Sequence, residues 1–314
     1  MIEWALAIAQ TLLFVTAAPL LAGWIKCCRC HLQNRAAPMV WQPYRDLARL
    51  FGKNVVVADT TSWLFRLAPY VVFGAAVLAA SVVPLIATHL PTNAIADVIV
   101  LVGFFALARF VQALAALDAG TAFGGMGASR EMTVASLAEP AMLLVVFTFS
   151  VTANTTNLST AIDHILASGL VLRPSFIFIA VALLMVAVAE TGRVPVDNPA
   201  THLELTMLHE AMILEYGGRH LALVEWAGQI KLMLYGVLFI DLFVPWGIAS
   251  QLSWAAAGTG LVAVAAKLAL LGLVLAVSET LVAKMRLFRV PGYLGFAFLL
   301  GLLGMLSHVI LEVG

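Results

Sequence analysis

Long apolar runs separated by short polar breaks dominate this chain, and that pattern leaves few folds open to it. A helix needs roughly 20 apolar residues to cross the hydrocarbon core of a bilayer. Eight stretches meet that requirement, at about 2–25, 68–90, 95–117, 133–153, 173–190, 227–249, 257–280 and 292–312. Of the 314 residues, 62% are hydrophobic and 11% charged, whereas soluble domains carry about 25% charged residues. The fold class that follows is an all-α polytopic membrane protein with about eight transmembrane helices, read as a single membrane domain over 1–314.

Basic residues orient these spans. Loop 26–67 holds Lys26, Arg29, Arg35, Arg45, Arg49, Lys53 and Arg66; loop 118–132 holds Arg130; loop 191–226 holds Arg193 and Arg219; loop 281–291 holds Lys284, Arg286 and Arg289. The alternate loops 91–94 and 250–256 hold none, and 154–172 is followed by the lone Arg173. By the positive-inside rule the basic loops are cytoplasmic and both termini periplasmic. Within the first loop, Tyr44, Leu47, Leu50 and Phe51 fall at helical spacing against Arg45, Asp46 and Arg49, as in a helix lying in the headgroup plane. No internal repeat stands out.

Other chemistries are poorly served. A formal net charge of zero offers no basic field for nucleic acid. The three cysteines, Cys27, Cys28 and Cys30, form no disulfide framework, and no second ligand pair completes a tetrahedral metal site. No cleavage site follows the first apolar run, which reads as a retained anchor. Gly124-Gly125-Met126-Gly127 lacks the features of a nucleotide-binding loop and reads as a tight turn in a cytoplasmic loop.

Acidic residues concentrate at 190–225, where Glu190, Asp197, Glu204, Glu210, Glu215 and Glu225 follow directly on an apolar span. A carboxylate at a membrane boundary is costly unless protons or a partner use it. Glu190 ends its span in low dielectric, a setting for a proton carrier; Arg193, three residues on, is placed to pair with it. Pro195 and Pro199 then break the chain around Asp197. Thr201 and Glu204 have capping-box spacing, which predicts a helix over 202–216. On that helix Glu204, Leu208, Ala211 and Glu215 share one face, and His202, Thr206 and His209 another. The His209-Glu210 pair has no second histidine four residues on, so no metal motif results. Further ionisable residues lie in the spans: Arg109, Asp118, Glu139, Lys231, Asp241, Lys267 and Glu279. Together they imply a polar interior, used either as a lateral proton relay or as a chamber for an amphipathic ligand.

The run Glu190-Thr191-Gly192-Arg193-Val194-Pro195-Val196-Asp197-Asn198-Pro199 closely resembles the E-T-N-R-x-P-F-D-x-P signature of the H subunit of respiratory complex I, its quinone-chamber membrane subunit. Glu204-Leu205 and Glu215-Tyr216-Gly217-Gly218 resemble that family's later E-L and E-Y-S-G. Arg130 with Glu139, and Gln42-Pro43 with Asp46, Leu50 and Lys53, resemble two further motifs, so the likeness covers the whole chain. Departures fall at Val196, Ala200 and His202, and the stretch before Glu215-Tyr216 is about three residues longer. In these respects the chain is similar to the membrane subunit of formate hydrogenlyase and hydrogenase-4-type complexes.

That resemblance implies an integral anchor in the bacterial or archaeal cytoplasmic membrane. It would dock a soluble redox arm and link it to ion translocation. Implied partners are nickel–iron hydrogenase large and small subunits, an Fe–S subunit and antiporter-like membrane subunits. Fe–S clusters and the nickel–iron (NiFe) centre belong to those partners, with none bound here; quinone enters only in the alternative, a complex I-type quinone chamber. The resemblance carries over Glu139, Glu190, Asp197, Glu204 and Glu215 as proton-path residues, with Arg130 and Arg193 as pairing cations; the ionisable residues of the spans add Asp118, Asp241, Lys267 and Glu279 to the expected path and Arg109 and Lys231 to the cations. His202, Glu204, His209, Glu210 and Glu215 would form the docking helix. A stand-alone transporter is the third reading, weakened by the lack of a repeat.

Overall fold

The computed structural model describes residues 2–58, 60–86, 88, 91, 97–168, 174–197, 208–248 and 254–311, and everything below concerns these. Eleven α-helices are found among them: α1 Ile2–Leu32, α2 Gln42–Phe51, α3 Trp63–Val82, α4 Val98–Asp118, α5 Ala122–Ala153, α6 Leu158–Ser168, α7 Pro174–Glu190, α8 His209–Ile213, α9 Gly218–Phe243, α10 Trp254–Leu281 and α11 Val290–Leu311. Seven of these regions are long and apolar enough to cross a bilayer, and α7 is a shorter apolar helix of 17 residues. The eight expected spans correspond to α1, α3, α4, α5, α7, α9, α10 and α11.

Five helices close a ring through successive contacts: α3 on α4, α4 on α5, α5 on α7, α7 on α9, and α9 back on α3. Helix α11 covers α5 and α7 from outside, while α1 lies against α9 and carries α10 on its other flank. The largest apolar core runs through this arrangement and includes Phe14, Leu101, Phe149, Leu183, Ile230 and Leu234, all fully buried. Large apolar side chains also face outward, among them Leu270, Leu273 and Ile310. In water such a surface would be a liability; against lipid tails it is matched.

Local chemistry sets the helix ends. The side chains of Ser62, Asp97 and Thr121 accept from the backbone N–H groups of Leu64, Ile99 and Gly124, at 3.1, 2.8 and 3.2 Å. Each satisfies a donor that the first helical turn leaves unpaired. At the other end of α7, Gly192 takes a left-handed conformation (φ 59°), and the Arg193 N–H donates to the Val188 carbonyl at 3.0 Å. This is a glycine C-cap with the wrapped hydrogen bond that terminates a helix sharply.

Several sequence expectations need correction. The second span begins at Trp63 and its helix ends at Val82, not 68–90. The sixth occupies Gly218–Phe243, not 227–249, which shortens the loop before it. Cys27, Cys28 and Cys30 lie on the last turns of α1, not in the following loop, and are free thiols. Most of the expected loop 118–132 is helix, because α5 starts at Ala122, and loop 154–172 contains α6. The glycine run therefore forms no turn; it lies in the first turns of α5.

Its purpose is close approach. A Cβ on Gly127 would lie 2.9 Å from the Ala211 Cβ and 3.1 Å from the Met212 Cγ. Helix α8 thus presses directly onto α5 at a residue without a side chain. The expected 202–216 helix is reduced to its described part, His209–Ile213. Leu208 is non-helical, so no regular helix runs through it, and 198–207 lie outside the described residues.

The predicted consequence is position-specific. Gly127→Val should destabilise the protein by about 1–3 kcal/mol through overpacking, whereas Gly103→Ala, with open space around it, should be neutral or slightly stabilising. Thermal unfolding of both variants in lipid nanodiscs checks this; equal midpoints would mean that α8 does not seat on Gly127.

Candidate functional site: a buried ion network inside the five-helix ring

Four ring helices each send one charged residue inward. From α4, Arg109 Nη1 donates to Glu139 Oε1 on α5 at 2.8 Å, and its Nη2 donates to Glu190 Oε2 at the end of α7. From α9, Lys231 Nζ donates to the same Glu190 oxygen at 2.8 Å. The Arg109 and Glu190 side chains keep only 5% and 2% exposure. Charges so deeply desolvated persist only when paired and hydrogen-bonded. Helix α3 contributes no ion to this network; its Val72 and Ala76 close the ring with apolar surface.

A further carboxylate joins this cluster. Glu131 on α5 approaches Arg109 Nε at 3.7 Å. Sequence reasoning passes over it in favour of its neighbour Arg130. The available signal is its spacing: Glu131 and Glu139 are eight residues apart on one helix, roughly two turns, and so share a face. Two cations therefore face three carboxylates, a formal deficit of one positive charge that a single proton would balance.

The network has an inner and an outer side. Inside the ring, Arg109, Gln112, Glu131, His209 and Lys231 border a crevice of about 40 Å³, room for a few water molecules. Small-molecule sites occupy about 300–1,000 Å³, well above the volume of this crevice. On the outer side Glu139 retains 38% exposure. It reaches a depression of about 360 Å³ shared with Phe110 and Met132, between α4 and α5.

The remaining expected site residues fall into separate groups. Arg193 does not pair with Glu190: the Gly192 cap turns it outward, and its Nη1 meets Glu279 Oε1 on α10 at 3.0 Å. Arg29 of α1 meets the other oxygen of Glu279 at 3.3 Å. Asp197 is a clasp, accepting from Lys284 Nζ at 2.7 Å and from the Leu208 N–H at 3.1 Å, and so anchors the start of α8. Asp118 accepts from the Ser62 N–H at 2.8 Å and holds the entry to α3. Asp241 is fully buried near the opposite end of α9. Lys267 bonds the carbonyls of Val244 and Trp246. Arg130 is half-buried on α5, next to Glu131. Of the expected docking residues, His209 and Glu210 lie half-buried on α8 and Glu215 is exposed beyond it; His202 and Glu204 lie outside the described residues.

Tyr216, which follows Glu215 in the Glu215–Gly218 motif, is not among the expected site residues. Its ring stacks on Phe65 with centroids 4.1 Å apart, and its hydroxyl donates to the Phe65 carbonyl at 3.1 Å. Burial, with the Asp118 carboxylate adding to it, pushes this phenol well above its ordinary range. Tyr216 fixes the elbow between α8 and α9 and keeps Glu215 at the surface.

Comparison with known proteins agrees with this architecture. The NADH dehydrogenase family model matches residues 5–309, and the chain belongs to that family, the family of complex I subunit 1. It is 33% identical to formate hydrogenlyase subunit 4 of Escherichia coli (strain K12), over 92% of this chain and 95% of the relative. To hydrogenase-4 component C of the same organism it is 32% identical, over 93% and 92%. The NADH-quinone oxidoreductase H subunit of Salinibacter ruber is 25% identical over 69% of this chain and 59% of its own. A chain from the archaeal membrane-bound sulfane sulfur reductase complex shares the fold, with a TM-score of 0.80 at 16% identity, covering 98% of this chain and 99% of that one.

The pairing makes its own prediction. Arg109→Met leaves three carboxylates facing Lys231 alone and should cost about 3–5 kcal/mol, the scale of a broken buried pair. Adding Glu190→Gln should recover part of the loss. A double-mutant cycle on unfolding in nanodiscs measures this, and strictly additive losses would argue against direct coupling.

Proposed function

We propose that this member of the NADH dehydrogenase family is the integral membrane anchor of a nickel–iron hydrogenase complex of the formate hydrogenlyase type. It docks the soluble redox arm through the acidic 202–216 segment on its cytoplasmic face and couples that arm to proton or other ion movement through antiporter-like subunits. Both termini lie on the periplasmic side of the cytoplasmic membrane. Fe–S clusters and the nickel–iron centre reside in the partners, and electrons do not pass through this chain.

One observation carries the coupling role: three carboxylates share two cations within a five-helix ring, with a water-sized crevice on one side and half-exposed Glu139 on the other. A proton entering beside His209 and Glu131 would meet Glu190 and Arg109, then leave through Glu139 toward a neighbouring membrane subunit. Exposed ionisable groups within a bilayer require a partner or a polar path, and Glu139 meets that description. Asp197, Glu279 and Asp118 act as clasps that hold the loops around the path. A quinone-reducing role has less support, since the inner crevice is far smaller than a usual small-molecule site.

Two experiments address the two halves. Glu190→Gln preserves side-chain size but removes the shared titratable group; the complex should assemble normally while formate- or ferredoxin-linked proton translocation falls about tenfold or more, the scale of a lost proton-transfer group. Undiminished translocation would refute the path. For docking, Glu204→Lys with Glu215→Lys should release the soluble arm from isolated membranes, since reversed rim charges weaken complementary association; unchanged co-sedimentation would count against that face.

A further inference from the structure

A third cavity lies outside the ring, separate from the crevice and the depression that border the ion network. It occupies about 310 Å³ among α1, α7, α9, α10 and α11, with walls that include Ile25, Met185, Val188, Leu232, Phe239 and Leu271. It arises because α10 is held from one side. Helix α10 packs on α1 and α9, and the Trp24 indole N–H donates to the Ala269 carbonyl at 3.0 Å. Among the described residues its direct contact with α7 and α11 is slight. The gap opens sideways: Val181 of α7, Val274 of α10 and Val282 just beyond it line the cavity and are also exposed.

We propose that this cavity holds one acyl chain of an anionic phospholipid whose phosphate is met by Arg29 and Arg193. The chain follows from the walls. Of the four hydroxyl-bearing residues on the lining, which include Tyr235 and Tyr293, Thr191 and Ser278 donate back to the carbonyls of Ala187 and Leu275, both at 2.7 Å. They are committed within their own helices, and the surface left for an occupant is overwhelmingly hydrocarbon. An apolar void open to lipid forfeits dispersion contacts until a chain fills it.

The headgroup follows from the charge at the cavity's basic end. Thr191 and Ser278 are each within two residues of the Arg193–Glu279–Arg29 cluster. There two guanidiniums share one carboxylate, leaving one formal positive charge. The side chains of Arg29 and Arg193 keep 18% and 16% exposure, and each guanidinium has five donors to offer. The adjoining 282–289 segment adds exposed Arg286 and Arg289, and Phe288 is 94% exposed. Cationic heads beside an aromatic ring suit the anionic lipid interface. Charge complementarity thus selects a phosphate-bearing, negatively charged lipid over a zwitterionic one.

The test uses the full chain within its complex. The complex is purified in detergent, washed, and its retained lipid identified by native mass spectrometry; it is then exchanged into nanodiscs of phosphatidylglycerol or phosphatidylethanolamine. One tightly held anionic phospholipid per chain is expected, displaced far less readily by phosphatidylethanolamine than by phosphatidylglycerol. Val274→Trp, which plugs the lateral opening, should weaken retention about tenfold. Leu184→Trp on the opposite rim is read in the same way should the first variant assemble poorly. Arg29→Gln with Arg193→Gln should keep a lipid but abolish the preference for the anionic one. Undiminished retention in the plugged variants would overturn the proposal. So would a bound isoprenoid quinone, a partner helix filling the gap, only zwitterionic lipid, or none at all.

Discussion

Everything in the ring depends on how a membrane interior tolerates Arg109. A guanidinium cannot be deprotonated in a protein, so the fold must bring it anions, and it does so from two helices that are distant in sequence. Glu139 and Glu190 supply the hydrogen-bonded carboxylates, Glu131 a third at longer range, and Lys231 compensates the surplus. That constraint fixes the mutual rotation of α4, α5, α7 and α9 more stringently than apolar packing does, because lipid-compatible surfaces give helices little reason to prefer one rotation over another. Helix α3, free of such a partner, can serve as apolar closure.

The eight spans were legible because bilayer thickness imposes a length on them. Their ends were not. Helices here continue past the apolar segment: α5 begins eleven residues before the expected span at 133, carrying Arg130 and Glu131 on turns that hydropathy reads as loop. The glycine run misled for a related reason. Glycine signals either a turn or a close approach, and the choice at Gly127 depends on Ala211 and Met212, more than eighty residues away. The charged residues of the buried network were identifiable as costly, yet their partners were not. Short separation favours Arg193 for Glu190, but the cap at Gly192 directs the two side chains to different clusters.

That cap explains a departure in the signature. The resembling family pattern has asparagine where this chain has Gly192. Asparagine and glycine are the two residues that best tolerate the left-handed conformation of a helix C-cap. The substitution therefore preserves a backbone requirement while altering the side chain completely. What the motif encodes is a sharp end to α7, with Glu190 on the last inward turn and Arg193 on the first outward residue.

The two clusters that result divide the labour by what surrounds them. Glu190 looks into the ring, where two cations and three carboxylates leave one formal negative charge. Arg193 looks out toward α10, where two cations and one carboxylate leave the opposite imbalance, suited to a fixed anion. A single turn of backbone thus separates an excess of negative charge from an excess of positive charge. Since an exchange of register between them would set Arg193 beside the cations Arg109 and Lys231, the segment from Glu190 to Asp197 has little freedom to slide. The clasp of Asp197 with Lys284 and Leu208 holds its far end, and the Met285 N–H donating to the Pro195 carbonyl at 2.8 Å holds its middle. Any movement of α8 would therefore reach the ring both through its seat on Gly127 of α5 and through the hydrogen bond from Leu208 to Asp197.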